Sequence, residues 1–365
     1  MTPSDLSPRR LAEGLMVRPL GLGSGTSRWA PHAAQPDDAH LLDELRHAVV
    51  AGLDEDDAAL LDTADSYRCG HAEQLIGKVL RECPGHNVQV ASKVGRIRGS
   101  APHPYAGPRV RHQLEQTLEN LYLDELAVYT LESYDFGPGD RYLDPVIEQM
   151  RALRDLGQIR AVGLRGPGFR SSPRSIRRFR DLFDLIRPDV VWTQASGLLP
   201  LADLGDGEDL GAFTTRRGVG LVIASPLAHG ALAGGCPDRA LAAWGGLEGD
   251  QAQAVRLAIT SGLVELAGRF GPNADVLARV ALRFILQRVK NAVVVVGVGG
   301  GHRGQDDLSF LGRPLSDHDL VVVEEVFARV RDVLIQIKGG TPSVEVNTWP
   351  DAVGRATQRP TPLRR

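Results

Sequence analysis

The stretch LAVYTLES, residues 126–133, decides how this chain is built. Val128, Tyr129 and Leu131 belong to an almost unbroken apolar run of strand length, which suits a strand covered on both faces. The run then stops on a carboxylate, Glu132, followed by Ser133 and the loop-forming YDFGPGD. Helical patterns flank it. HQLEQTLENLYL (112–123) places Leu114, Leu118 and Leu121 on one face at i, i+4 and i+7. LDPVIEQMRALRDLG (143–157) closes on Gly157, a natural helix stop. A doubly covered strand between amphipathic helices is one unit of an alternating chain.

That unit recurs. Working outward, strands are expected at VRPLGLG (17–23), ALLDTAD (59–65), VQVASKV (88–94) and IRAVGLRG (159–166). Others follow at DVVWTQAS (189–196), GLVIASPL (220–227) and AVVVVGVG (292–299). VLARVALRFILQR and DLVVVEEVFARVRDVL supply two strongly apolar late helices. Eight such strands separated by helices imply a parallel α/β sheet, and eight repeats predict closure into a single-domain (β/α)8 TIM barrel. An open doubly wound sheet is the alternative, but GLGSG (21–25) lacks the GxGxxG spacing its nucleotide turn needs. The barrel is expected over residues 17–335, with an N-terminal tail at 1–16 and a Pro- and Arg-rich C-terminal extension at 336–365. Segment 229–275 reads as an insertion between the seventh strand and its helix.

The 365 residues are 42% hydrophobic and 24% charged, an ordinary globular profile. A net charge of −3 argues against nucleic acid or an anionic membrane as the main partner and leaves a small-molecule substrate as the expected one. Cys69, Cys83 and Cys236 show no paired or metal-like spacing, so neither disulfides nor a metal site is expected, and a reducing cytoplasm fits. MTPSDLSPRRLAEG has no apolar run, so neither a signal peptide nor a membrane anchor is expected. Oligomeric state leaves no mark in the sequence. The basic run RSSPRSIRRFRD (170–181) reads first as a solvated helix face. Since it follows the fifth strand, Arg170 or Arg174 could instead border a pocket and steer an acidic substrate.

In such barrels the reacting groups come from the C-terminal strand ends and the loops beyond them. The second strand delivers Asp62 and, past it, Tyr67; the third delivers Lys93 and the fourth Glu132. Together they suggest proton donation to a carbonyl. A free tyrosine, with a pKa of about 10, is a poor acid near neutrality. A neighbouring ammonium, Lys93, favours the phenolate and is expected to lower that value, and Asp62 would hold the ammonium charged and aimed.

At these residues the sequence resembles the aldo-keto reductase superfamily. LLDTADSYRCGHAEQLIGKVL (60–80) is similar to its Asp-x-Ala…Tyr motif and Gly-x-x-Glu helix, VQVASKVG to its lysine strand, and LENLYLDELAVYTLES to its catalytic fourth strand. GQIRAVGL (157–164) is similar to the approach to its fifth strand. The resemblance runs from about residue 17 to about 335. It implies a TIM barrel, an extended NADPH cofactor bound without a Rossmann domain, and carbonyl reduction with Tyr67 as general acid, Lys93 as its activator and Asp62 as the lysine's partner. Glu132 falls where most of the family has a histidine, which resembles the steroid 5β-reductase branch. That implies an enone substrate, with a neutral Glu132 carboxyl donating to the developing oxyanion.

The resemblance also places the cofactor. Arg165 and Gly166 stand where the family has Ser-Asn against the nicotinamide amide; its glutamine aligns with Trp192 or Gln194, and its stacking tyrosine with Ala224. Ser225 and Leu227 match a Ser-Pro-Leu segment whose backbone lies along the pyrophosphate. GVGGGHRGQDDL, beginning at Gly297, offers backbone donors to a phosphate, with Arg303, Asp306 and Asp307 at the adenosine positions. Arg303 argues for NADPH over NADH, because a guanidinium matches a phosphate. The expected function is therefore an NADPH-dependent oxidoreductase acting on a carbonyl or conjugated enone, with specialised metabolism as the expected setting. A redox-neutral enzyme holding NADP(H), or an inactive barrel serving as a binding or regulatory subunit, are the alternatives.

Overall fold

A computed structural model describes residues 6–24, 37–51, 57–205, 207–244, 247–297 and 308–337. Eight parallel strands close into a barrel: β3 (Leu20–Gly23), β4 (Ala59–Asp62), β5 (Val88–Val94), β6 (Leu126–Leu131), β7 (Ile159–Arg165), β8 (Val190–Gln194), β9 (Gly220–Ala224) and β10 (Ala292–Gly297). Each pairs with its neighbour in sequence, and β10 closes onto β3. This is the (β/α)8 barrel expected from the alternation, and all eight strands lie within the segments marked for them.

Strand parity sorts the apolar side chains into two cores. One set, including Leu60, Ala91, Val128, Ala161, Val190, Val222 and Val293, fills the barrel interior. The other, including Leu61, Val90, Tyr129, Leu164, Val191 and Ile223, packs outward against the helices. Burial on both sides explains why these strands read as continuous rather than alternating apolar runs. The helical layer comprises α1 (Asp38–Ala51), α2 (His71–Glu82), α3 (Arg109–Leu121), α4 (Leu143–Asp155), α5 (Pro173–Ile186), α6 (Leu210–Arg217), α7 (Pro237–Ala243), α8 (Gly249–Phe270), α9 (Ala274–Arg288) and α10 (Asp317–Ile337). Leu114, Leu118 and Leu121 are buried on α3, and Gly157, at φ +72°, ends the α4 turn.

Two features lie outside the sequence expectations. Residues 9–17, mostly within the segment read as a tail, form a hairpin of β1 (Arg9–Ala12) and β2 (Leu15–Val17). Its Leu11, Leu15 and Val17 enter the interior core and stopper the N-terminal end of the barrel. The approach is so close that a Cβ on Gly220 would lie 2.2 Å from Leu11 O. Arg9 fastens the hairpin by donating to Leu286 O at 3.0 Å and Ala292 O at 2.9 Å, a cation against the C-terminal end of α9. Strands of three and four residues are too short for periodicity to reveal. The insertion at 229–275 contains α7 and the long α8, which packs on α10 through Ala252, Val255, Ile259, Gly262 and Leu266. Exposed apolar residues such as Leu257 and Val264, and small residues around the helix, blur its period in the sequence.

Candidate active site

The C-terminal strand ends gather the chemistry on one rim. Asp62 is the last residue of β4, and Lys93, fully buried, is next to last on β5. Lys93 Nζ donates to Asp62 Oδ2 at 2.7 Å, to Thr63 O at 2.6 Å and to Tyr67 Oη at 3.4 Å. Tyr67 is presented by a tight turn in which Arg68, Cys69 and Gly70 all adopt left-handed backbone angles, at φ 51°, 54° and 88°. An Arg68–Asp38 ion pair of 2.7 Å ties this strained turn to the start of α1. The structure thus brings Asp62, Tyr67 and Lys93 together as the sequence suggested.

Sequence reasoning missed a fourth member of this group. Trp192, facing inward on β8, donates its indole N–H to Asp62 Oδ2 at 3.2 Å, and Lys93 Nζ lies 4.9 Å from its ring centre. The signal was available as parity: Trp192 and Gln194 are two apart on one strand and share a face, with Trp192 one layer deeper.

The electrostatics differ from expectation at Tyr67. Burial pushes the phenol up; Lys93 pulls it down, but Asp62 and Glu132 add to the burial effect, and its pKa ends above the ordinary tyrosine value. Burial likewise disfavours the ammonium of Lys93, yet Asp62, Tyr67 and Glu132 outweigh it and hold the lysine above its usual value. Asp62 is raised by burial, with Lys93 opposing. The resting state is a charged lysine facing a protonated tyrosine.

Glu132 follows β6, still tied to β5 by its N–H to Val94 O at 2.9 Å. Its neighbour Ser133 donates its N–H to Tyr105 Oη at 2.9 Å, a reach possible because Gly95 (φ +117°) has no Cβ to block the phenol. Glu132 is buried, within electrostatic reach of Asp62 and Asp65. Its Oε1 forms ion pairs with Arg96 Nε at 2.8 Å and Arg165 Nη1 at 3.2 Å. The group expected to donate to a developing oxyanion therefore has one oxygen held between two guanidinium groups. No motif marked Arg96, which reaches back from the loop after β5.

Arg165, the last residue of β7, has its guanidinium carbon 5.2 Å from the Trp192 ring centre. It is also part of the wall of an open cleft over the ends of β7, β8 and β9, together with Gln194 and Ser225. The cleft floor follows a backbone turn in which Ser225, Ala228, His229 and Gly230 have φ of 58°, 50°, 56° and 91°. Ala228 and Gly230 donate their N–H groups within the turn, to Ser225 O and Leu227 O at 3.0 Å, which fixes its shape. Amide, hydroxyl, guanidinium and turn fit the nicotinamide and phosphate portions of a dinucleotide. Gly166 falls elsewhere than expected: it faces the helices, where a Cβ would lie 2.7 Å from Val191 Cγ1. The side chain of Leu227 is in the outer core while its backbone is part of the turn, and Ala224 packs at the edge of the interior core. Gly297 ends β10 exposed, and Arg303, Asp306 and Asp307 lie outside the described residues. Among the described residues no cluster could hold a metal ion, and no helix is long and apolar enough to cross a membrane.

Residues 19–327 match the model of the aldo/keto reductase family. The chain is similar to L-galactose dehydrogenase from Arabidopsis thaliana, 27% identical over 225 residues, covering 60% of this chain and 64% of that protein. It is 24% identical over 343 residues to a probable aldo-keto reductase 1 from Glycine max, covering 90% of each. Among solved structures it resembles an aldo/keto reductase from Klebsiella pneumoniae in complex with NADP and acetate. There the TM-score is 0.62 at 20% identity, covering 88% of this chain and 95% of that one.

Proposed function

The chain belongs to the aldo/keto reductase family and is an NADP(H)-dependent oxidoreductase, and we propose that it reduces a carbonyl group with Tyr67 as general acid. The observation that carries this reading is the Asp62–Lys93–Tyr67 chain of hydrogen bonds at the barrel mouth. When bound, the reduced nicotinamide supplies the hydride. Gln194, Ser225 and the turn at 225–230 are proposed to hold its nicotinamide and phosphate portions, and Arg303, Asp306 and Asp307 the adenosine end.

The raised Tyr67 pKa keeps the proton in place until substrate arrives. As the carbonyl oxygen becomes an alkoxide it takes that proton, and the phenolate left behind is stabilised by the Lys93 ammonium 3.4 Å away. Asp62, Thr63 O and Trp192 keep the ammonium aimed, so little reorganisation is needed during transfer. The contacts of Glu132 Oε1 with Arg96 and Arg165 engage the carboxyl that the enone reading needs as a hydrogen-bond donor, which favours carbonyl reduction.

Steady-state NADPH oxidation with an aldehyde panel tests this. Tyr67→Phe, which keeps the ring and removes the proton, is expected to lower kcat by ~10²–10⁴. A loss of no more than tenfold would remove Tyr67 as the acid.

A further inference from the structure

Carbonyl reduction does not account for the arginine on the outer wall of the cleft. Arg170, in the loop after β7, lines it with Arg165 and with Ser171, just ahead of the Ser172 cap of α5. No aspartate or glutamate is among the described lining residues. Arg170 Nη1 is shut off from solvent and has no hydrogen-bond partner among the described residues. Such a buried unpaired donor is costly, and burial alone pushes this guanidinium below its ordinary pKa. The nearest acid of the reaction centre, Glu132, is already shared by Arg165 and Arg96. The N-terminus of α5, 14 residues long, adds its partial positive charge on the same side.

We propose that Arg170, with Arg165, binds the carboxylate of an acidic carbonyl substrate. The inference rests on the carbonyl-reductase reading and names its substrate class. The placement supports it: Arg165 lines the cleft, reaches Glu132 at 3.2 Å and lies within the electrostatic reach of Tyr67, so this wall adjoins the reaction centre. The backbone turn at Ser225–Gly230, proposed for the dinucleotide phosphates, follows β9, whereas Arg170 follows β7. A guanidinium is suited to a planar carboxylate because its N–H groups form a fixed fork.

The test compares 4-carboxybenzaldehyde with its methyl ester, which share one aldehyde and differ in charge. The wild-type protein is expected to favour the acid by about tenfold to hundredfold in kcat/KM, the worth of a hydrogen bond to a charged group. Arg170→Met brings the acid-to-ester ratio toward one through the KM of the acid, and Arg170→Lys restores part of it. Equal use of acid and ester by the wild type overturns the proposal. So does an Arg170→Met variant that binds NADPH more weakly and loses both aldehydes together, because the arginine then serves the cofactor's phosphates. Titrating the NADP-bound protein with benzoate and benzamide, neither reducible, separates this inference from the proposed reaction. Benzoate binding that depends on Arg170, without reduction of any aldehyde, keeps the anion site and removes carbonyl reduction. Equal affinity for the two ligands, or no benzoate binding, overturns the anion site itself.

Discussion

The rim of the barrel divides into two halves built on different principles. Over β4–β6 the site consists of side chains whose charges are buried together: Asp62 with Lys93, Glu132 with two arginines, and behind them the carboxyls of Asp65 and Glu73. Over β7–β9 it consists of a cleft with a strained backbone turn for a floor and arginines on one wall. Proton transfer demands particular functional groups at hydrogen-bond distance, so the first half tolerates little substitution. Binding a phosphate or amide through main-chain N–H groups demands a backbone shape that many residues can adopt, so the second half can drift in sequence.

That contrast can be broken at its strongest point. Asp62→Ala removes the counter-charge of a fully buried lysine, and breaking one side of such a pair costs about 3–5 kcal/mol. The variant is expected to show that loss in urea unfolding, along with a loss of turnover. A melting curve unchanged by the substitution would mean that the Asp62–Lys93 pair does not organise this half.

A smaller effect of opposite sign is expected at Asp65. Glu73 receives hydrogen bonds from Ser92, Thr117 and Asn120, whereas neither carboxyl oxygen of Asp65 finds a side-chain partner among the described residues, the backbone of Ser66 giving only a minor opposing contribution. Burial, reinforced by Glu73 and Glu132, holds Asp65 well above the carboxylate range. The folded state therefore prefers the protonated acid. That preference contributes fully below the unfolded value of about 3.9 and is lost as pH rises through the folded one. Asp65→Asn is expected to stabilise the protein at neutral pH by ~1–3 kcal/mol, with the advantage shrinking toward pH ~4. Thermal melts across that range check it; an advantage constant with pH would contradict the assignment.

The same contrast explains what was legible in the sequence. Each barrel strand is covered on both sides, so its apolar run stood out, and a polar residue ending such a run marked a position on the rim. Asp62, Lys93 and Glu132 were found that way, with Tyr67 in the loop beyond Asp62, and the family resemblance gave them their roles. Partnerships between strands were less legible. Nothing local reveals that Arg96 folds back on Glu132, and the sign of the Tyr67 shift depends on how burial and two carboxylates compare with one ammonium. In the other half, Gly166 aligns with a cofactor-facing position yet turns to the helices, because alignment preserves order along the chain and not the direction a residue faces. The hairpin at 9–17 was too short to read, and α8 too rich in small residues.

Carbonyl reduction by the first half is tested most directly by where the hydride goes. With deuterium at the transferable position of NADPH and cinnamaldehyde as substrate, the carbonyl and the conjugated double bond compete within one molecule, and mass spectrometry locates the label. Cinnamyl alcohol carrying deuterium on its carbinol carbon is the expected product. A saturated aldehyde labelled at the β-carbon would contradict the account and return Glu132 to the hydrogen-bond donor role of the enone reading.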